Sequence, residues 1–152
     1  MPLTVRRAAT PDLPVIVEFN RRLAKESEGK ILDPAVVSAG VAAALADPAA
    51  KGPYYLAVDG GEIVGQMQIT FEFSDWRNGW FWWVQGVYVR ADARRRGVFR
   101  ALYEHVRQQA QQAGNVIGLR LYVEPSNHTA QKTYESLGFV SAGYVLMEQY
   151  PL

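Results

Sequence analysis

Cysteine is absent from this chain and histidine occurs only twice. The first absence excludes disulfides, thiolate metal sites and a cysteine nucleophile, and it fits a reducing compartment. His105 and His128 have no neighbours that suggest a metal set or a catalytic triad, so no metal is expected. Charge of one sign is also lacking: 16 Lys+Arg against 15 Asp+Glu leave a net charge of +1. No global field therefore draws the protein to nucleic acid or to a membrane. No segment approaches the roughly 20 apolar residues of a membrane span. The start, Met1-Pro2-Leu3-Thr4-Val5-Arg6-Arg7, carries no apolar run behind its charges and does not read as a signal peptide. A cytoplasmic protein is expected. Repeats and low-complexity tails are missing too. What remains is 152 residues, 49% of them hydrophobic, which predicts one domain over 1–152 with a sizeable core.

The patterning alternates strands with helices. Leu3 to Ala8 reads as a short strand. Thr10-Pro11-Asp12 signals a helix start, with Thr10 as N-cap and Pro11 at the first helical position. Leu13, Ile16, Val17, Phe19 and Leu23 then line one helical face to about Lys25, and Glu26-Ser27-Glu28-Gly29-Lys30 is a polar break. Asp33-Pro34 opens a second helix that runs to about Ala46. Tyr54 to Val58 is a strand, and Asp59-Gly60-Gly61 is a hairpin turn of favoured composition. Glu62 to Phe73 is a long strand with Met67, Ile69, Phe71 and Phe73 on one face. Gln66, Gln68, Thr70 and Glu72 occupy the other, and a strand with a polar face sees solvent or lines a wet cleft.

The next strand begins Trp80-Phe81-Trp82-Trp83-Val84, where alternation places Trp80 and Trp82 opposite to Phe81 and Trp83. Four consecutive aromatics exceed what one buried face needs. Some are core, and others wall a substrate cleft or a dimer contact. Trp82 is the substrate-cleft candidate, and a homodimer is a candidate assembly. Gly86, isolated inside the strand, marks a bulge or a close backbone approach.

Val87-Tyr88-Val89 ends that strand, Arg90 to Arg96 is polar, and from Gly97 the apolar residues Phe99, Leu102, Tyr103, Val106, Ala110 and Ala113 recur with helical spacing. Free N–H groups at a helix N-terminus point outward and favour negative charge. Gly97 lets a ligand approach the backbone, so the stretch outlines a phosphate or pyrophosphate site. The helix ends at Gly114-Asn115, Ile117 to Glu124 is a strand, and Asn127 caps a helix to Leu137. Phe139 to Ala142 and Gly143 to Tyr150 read as two last short strands. Strand–helix–strand over 87–123 implies a right-handed parallel crossover. The rest reads as antiparallel, so a mixed sheet is predicted.

Two of these stretches carry a resemblance. Arg94-x-x-Gly97 resembles the acyl-CoA loop (R/Q-x-x-G-x-G/A) of the GNAT N-acetyltransferase superfamily. Asn127-x-x-Ala130-x-x-x-Tyr134-x-x-Leu137-Gly138-Phe139 resembles that superfamily's C-terminal signature. Phe99 departs from the pattern by standing where a second glycine or alanine belongs. The resemblance covers essentially the whole chain. It implies an α/β fold with a mixed, mostly antiparallel sheet of six to seven strands, a central parallel, splayed pair and about four helices. It also implies an enzyme that takes an acetyl group from acetyl-CoA to a primary amine by direct attack. The alternative is a non-catalytic acyl-CoA-binding module.

On the same resemblance, acetyl-CoA would be held by Arg94, Arg95, Arg96, Gly97, Val98, Phe99, Arg100 and Asn127. Backbone groups of the strand over Val87, Tyr88 and Val89 would pair with its pantetheine arm. Tyr134 matches the superfamily's usual tyrosine acid. A phenol with an unperturbed pKa near ~10 can donate a proton at neutral pH. The other reading of Tyr134 is a helix aromatic packing on the sheet. Glu26 and Glu28, between the first two helices, are candidate substrate contacts or solvated loop carboxylates. Gln85 stands where the superfamily often carries a glutamate and cannot act as a base. Glu72, on the polar strand face, is the first candidate base, acting through water, and Glu124 the second. The arginines around 90–107 offer no aromatic interleaving and no recognition-helix pattern, which argues against nucleic acid as their partner.

From its position on the apolar helical stripe, Phe99 is expected to be buried, leaving the loop amides to bind.

Overall fold

The computed structural model describes residues 3–152, which form two compact units, one ending at Leu121 and one spanning Tyr122–Leu152. The first unit carries five strands in the order β1-β2-β3-β4-β5: β1 (Leu3–Arg7), β2 (Tyr54–Asp59), β3 (Glu62–Ser74), β4 (Gly79–Val89) and β5 (Val116–Leu121). Neighbours through β4 pair antiparallel, and β4 with β5 is parallel. The sheet is thus mixed and mostly antiparallel, as expected, but with five strands rather than six or seven. The parallel pair lies at its edge rather than its centre.

The helices are α1 (Leu13–Glu28), α2 (Pro34–Ala46), α3 (Pro48–Lys51) and α4 (Val98–Ala113), with α5 (His128–Ser136) in the second unit. That makes five helices rather than about four, because Asp47 accepts from the Ala50 amide and caps one extra turn at Pro48. Asp33 caps α2 by accepting from the amides of Ala35 and Val36. Thr10 does not cap α1. Residues Thr10–Asp12 form a 3-10 turn, and the Asp12 carboxylate accepts the Ala9 amide at 2.8 Å while receiving Arg6 at 2.9 Å on each oxygen. Glu26 and Glu28 are not in a loop. The helix continues through them and stops at left-handed Gly29, since Glu and Ser are tolerated in a last turn and glycine is the stop signal.

The core lies on both faces of the sheet. Ile16 of α1 and Val41 and Ala44 of α2 cluster with Tyr54 and Leu56 of β2. From the other side α4 buries Val98, Leu102, Tyr103, Val106 and Ala110. Full burial of a leucine or valine contributes about 1.5–3 kcal/mol each. No helix among the described residues is long and apolar enough to cross a membrane. The strand predicted over 117–124 stops at Leu121, and no strand occurs over 139–150. Apolar alternation there is present, but a strand also needs a neighbour's backbone groups, and no ladder forms with these residues.

Candidate functional site

The site begins with one extra residue in β4. Gln66 of β3 faces Tyr88 and Gln68 faces Gln85, so two residues of β4, Gly86 and Val87, stand against Met67 alone. Gly86 adopts φ +55°, a left-handed value that glycine takes without a Cβ penalty. The bulge is fastened from the side. Gln66 is fully buried, and its Nε2 donates to the Gly86 carbonyl at 2.9 Å and to Asn20 Oδ1 at 2.8 Å. Asn20 in turn donates to the Tyr54 hydroxyl at 3.2 Å. Gln66 Oε1 is buried without a hydrogen-bond partner among the described residues. Sequence reasoning missed this network. One signal was available: Asn20 interrupts the i, i+4 series from Ile16 to Ala24, both buried.

The parallel ladder ends at Val84–Leu121, so beyond the bulge β4 keeps its pairing with β3 and loses it with β5. Val87, Tyr88 and Val89 lie in that last stretch. The Tyr88 ring is buried against Phe19, with centroids 5.1 Å apart. Burial, followed by the neighbouring Glu26 carboxylate, pushes the Tyr88 phenol up.

A short 3-10 turn over Ala91–Ala93 leads from β4 into the arginine loop. Arg95 has φ +63° and Gly97 φ +78°. Gly97 is the N-cap of α4 and no side chain caps the helix, so the first-turn amides, which no helix can satisfy internally, face outward behind an open position. A Cβ on Gly97 would meet nothing within 4 Å. The residues fit an anionic group: free-ended amides, a glycine with space in front of it, and a clustered cation supply. Three arginines are already tied to carboxylates, Arg90 to Glu62 and Asp92, Arg94 to Glu26, and Arg96 to Asp59. Arg95 and Arg100 carry no salt bridge among the described residues.

Phe99 is half-buried rather than buried. The residue that packs inward is Val98, 4% exposed, against Gly65 of β3. The stripe runs Val98, Leu102, Val106, Ala110 at strict i+4 spacing, and Phe99 lies on its flank with its ring 6.4 Å from Tyr103. His105 is half-buried 5.4 Å from the Tyr55 ring, and burial pushes its imidazole down.

The polar face of β3 continues away from the bulge. Gln85 Nε2 donates to Thr70 Oγ1 at 3.0 Å. Glu72 Oε1 receives Trp83 Nε1 at 2.9 Å and Arg120 at 3.1 Å. The Arg120 guanidinium lies 3.6 Å over the Phe81 ring. Glu72 lies four residues from the Gln68–Gln85 pair, about 13 Å at the rise of a strand. Trp82 is on the opposite face, 5.7 Å from Phe71, where Trp80, Phe71 and Phe73 form an edge-to-face cluster. Glu72 and Trp82 are therefore not brought together, and the tryptophan beside Glu72 is Trp83. Glu28 pairs with Lys30 at 3.7 Å.

In the second unit Asn127 caps α5 by accepting the Ala130 amide at 3.1 Å. Tyr134 is half-buried with its ring 5.9 Å from Phe139, and burial pushes its phenol up. Gln131 donates to the carbonyls of Glu124 and Pro125, which ties the helix to the segment before it.

Comparison with known proteins gives a consistent result. The family model described as "Acetyltransferase (GNAT) family" matches residues 19–139. A possible acetyltransferase from Clostridium difficile 630 is 41% identical, with 100% of this chain and 99% of that one covered at a TM-score of 0.92. An integron cassette protein from the mobile metagenome of Cole Harbour Salt Marsh is 28% identical, with 96% and 89% covered at a TM-score of 0.82. A predicted acetyltransferase from Clostridium acetobutylicum, solved with acetyl-CoA, shares the fold at 15% identity, with 97% and 96% covered and a TM-score of 0.78. No curated protein matches the chain.

Proposed function

Because the chain belongs to the GNAT family of acetyltransferases, we propose that it transfers the acetyl group of acetyl-CoA to a primary amine by direct attack. The observation that carries this is the uncapped start of α4 behind left-handed Gly97, set in a loop of arginines at the end of β4. Acetyl-CoA would supply the activated thioester. The α4 amides with Arg94, Arg95, Arg96 and Arg100 would hold its phosphates, and the edge of β4 over Val87–Val89, which β5 leaves unpaired, would take its extended arm.

In the transfer, the amine nitrogen bonds to the acetyl carbon and the carbon–sulfur bond breaks. One proton leaves the nitrogen and one reaches the thiolate. Tyr134 is the proton donor in this reading. The phenol carries a proton throughout the neutral range, and burial, which pushes it further up, keeps it protonated while making it a weaker acid. Glu72 is the candidate base, working through water from the polar face it shares with Thr70 and Gln85. Glu26 and Glu28 are the candidate acceptor contacts, and Trp82, on the sheet face opposite Glu72, drops out of that set.

The test is free-thiol release from acetyl-CoA against a panel of amines, amino acids and aminoglycosides, with CoA-dependent thermal stabilisation measured in parallel. Stabilisation together with thiol release is expected. Stabilisation without release from any acceptor would turn the assignment to an acyl-CoA-binding module, and neither would defeat it.

A further inference from the structure

Glu26 and Arg94 are far apart in sequence and meet beside the last stretch of β4. Arg94 NH2 lies 3.2 Å from Glu26 Oε1 and 3.4 Å from Oε2. Its Nε donates to the Val89 carbonyl at 2.9 Å, and its guanidinium lies 5.5 Å over the Tyr88 ring. The Tyr88 hydroxyl, ahead of Arg94, also holds the Glu26 carboxyl below its ordinary range.

Two features separate this pair from an ordinary surface ion pair. Glu26 lies in the last turn of α1, where unsatisfied carbonyls disfavour a negative charge and a lysine or arginine would suit the helix better. Departures from a local rule are expected where function demands the residue. Arg94, for its part, stands directly before left-handed Arg95 and three positions before Gly97, so Glu26 holds a cation of the loop that leads into the open amides of α4.

We infer that Glu26 stands in for the cofactor's phosphate: it holds Arg94 in the free protein and yields it when CoA binds. This deepens the acetyl-CoA reading and rests on it. The side chains of the pair are 46% and 44% exposed, and such pairs are weak in water. A phosphate carries more charge and accepts arginine bidentately, so it wins the guanidinium. Glu26 is left solvated, with the Tyr88 hydroxyl as its partner, so no charge is stranded. The same swing of Arg94 releases the Val89 carbonyl, one of the strand groups assigned above to the cofactor arm. Phosphate capture and clearing of the strand edge become one event. The cost is affinity, because CoA competes with a carboxylate built into the chain.

Calorimetric titration of the full chain with CoA at constant salt tests this. Glu26→Gln should tighten CoA roughly threefold or more, since the competitor is gone, and Arg94→Ala should weaken it roughly tenfold. In the Arg94→Ala background, Glu26→Gln should have no effect. Both side chains are exposed, and thermal unfolding checks that each variant folds. Unchanged or weakened binding in Glu26→Gln, or equal tightening in the Arg94→Ala background, would overturn the inference while leaving the acetyl-CoA reading intact. No CoA binding by the unsubstituted protein would overturn both.

Discussion

The two halves of β4 are built differently. Over Trp80–Val84 the strand is paired on both edges, antiparallel to β3 and parallel to β5. Its side chains close the structure further: Trp80 and Trp82 interlock with Phe71 and Phe73 on one face, and Phe81 lies beneath Arg120 on the other. Over Gln85–Val89 only the β3 ladder continues, and what fixes the backbone is the Gln66 amide on the Gly86 carbonyl. The first half is held by repeated main-chain bonds that almost any sequence could supply. The second depends on one buried glutamine, one glycine and an arginine loop, and that is where backbone groups stay available to a ligand. Substitutions in the two halves should accordingly separate stability from cofactor binding.

The largest effect belongs to the open half. Gly97→Asp places bulk and negative charge at the start of α4 and should abolish stabilisation by acetyl-CoA, a ligand effect governed by mass action. A folded variant with unchanged CoA affinity would break the assignment of this half. Tyr134→Phe should lower turnover ~10²–10⁴-fold with CoA binding nearly intact, and turnover within a factor of two of the parent would remove Tyr134 from the acid role.

Gln66→Leu keeps the volume but leaves the Gly86 carbonyl and the Asn20 amide oxygen without their donor. A loss of about 1–3 kcal/mol is expected, read by denaturant unfolding, together with weaker CoA binding. The closed half supplies the contrast. A Cβ at Gly118 would lie 2.8 Å from the Phe81 ring, so Gly118→Ala should cost about 1 kcal/mol through overpacking and leave CoA affinity unaltered. Equal losses of affinity in Gln66→Leu and Gly118→Ala would dissolve the distinction between the halves.

The smallest effect is in the pH dependence. The Glu26 carboxyl is depressed in the folded chain, first by Tyr88 and then by Arg94. Its contribution is therefore present above the unfolded pKa of about 4.3 and is lost as pH falls through the lower folded value. Any melting-temperature difference between the parent and Glu26→Gln should shrink between about pH 6 and pH 3, and a difference that grows on acidification would reverse the assigned sign.

Much of the organisation was legible in local chemistry. Asp33-Pro34, Asp59-Gly60-Gly61 and Asn127 sit where helix caps and a hairpin turn require them. The alternation in β3 separates the two faces as read, with Phe71 opposite Trp82 and Glu72 opposite Phe81. Gly86 marks the bulge that its isolation in a strand suggested. Phe99 was misread because helical spacing is shared by two neighbouring residues, and only docking against the sheet selects Val98 for the interior. Glu26 and Glu28 were placed in a loop because their polarity looks like a break, whereas the break is Gly29.

Periodicity and capping are properties of a few consecutive residues, and these determined the element types, the faces of β3 and the anion-ready start of α4. Partnership across the chain is not local. That Gln66 reaches Asn20 and Gly86, that Arg94 finds Glu26, that Trp83 and Arg120 share Glu72, and that the apolar residues after Phe139 join no ladder were decided by tertiary structure, because each depends on which backbones the folded sheet brings within hydrogen-bonding distance.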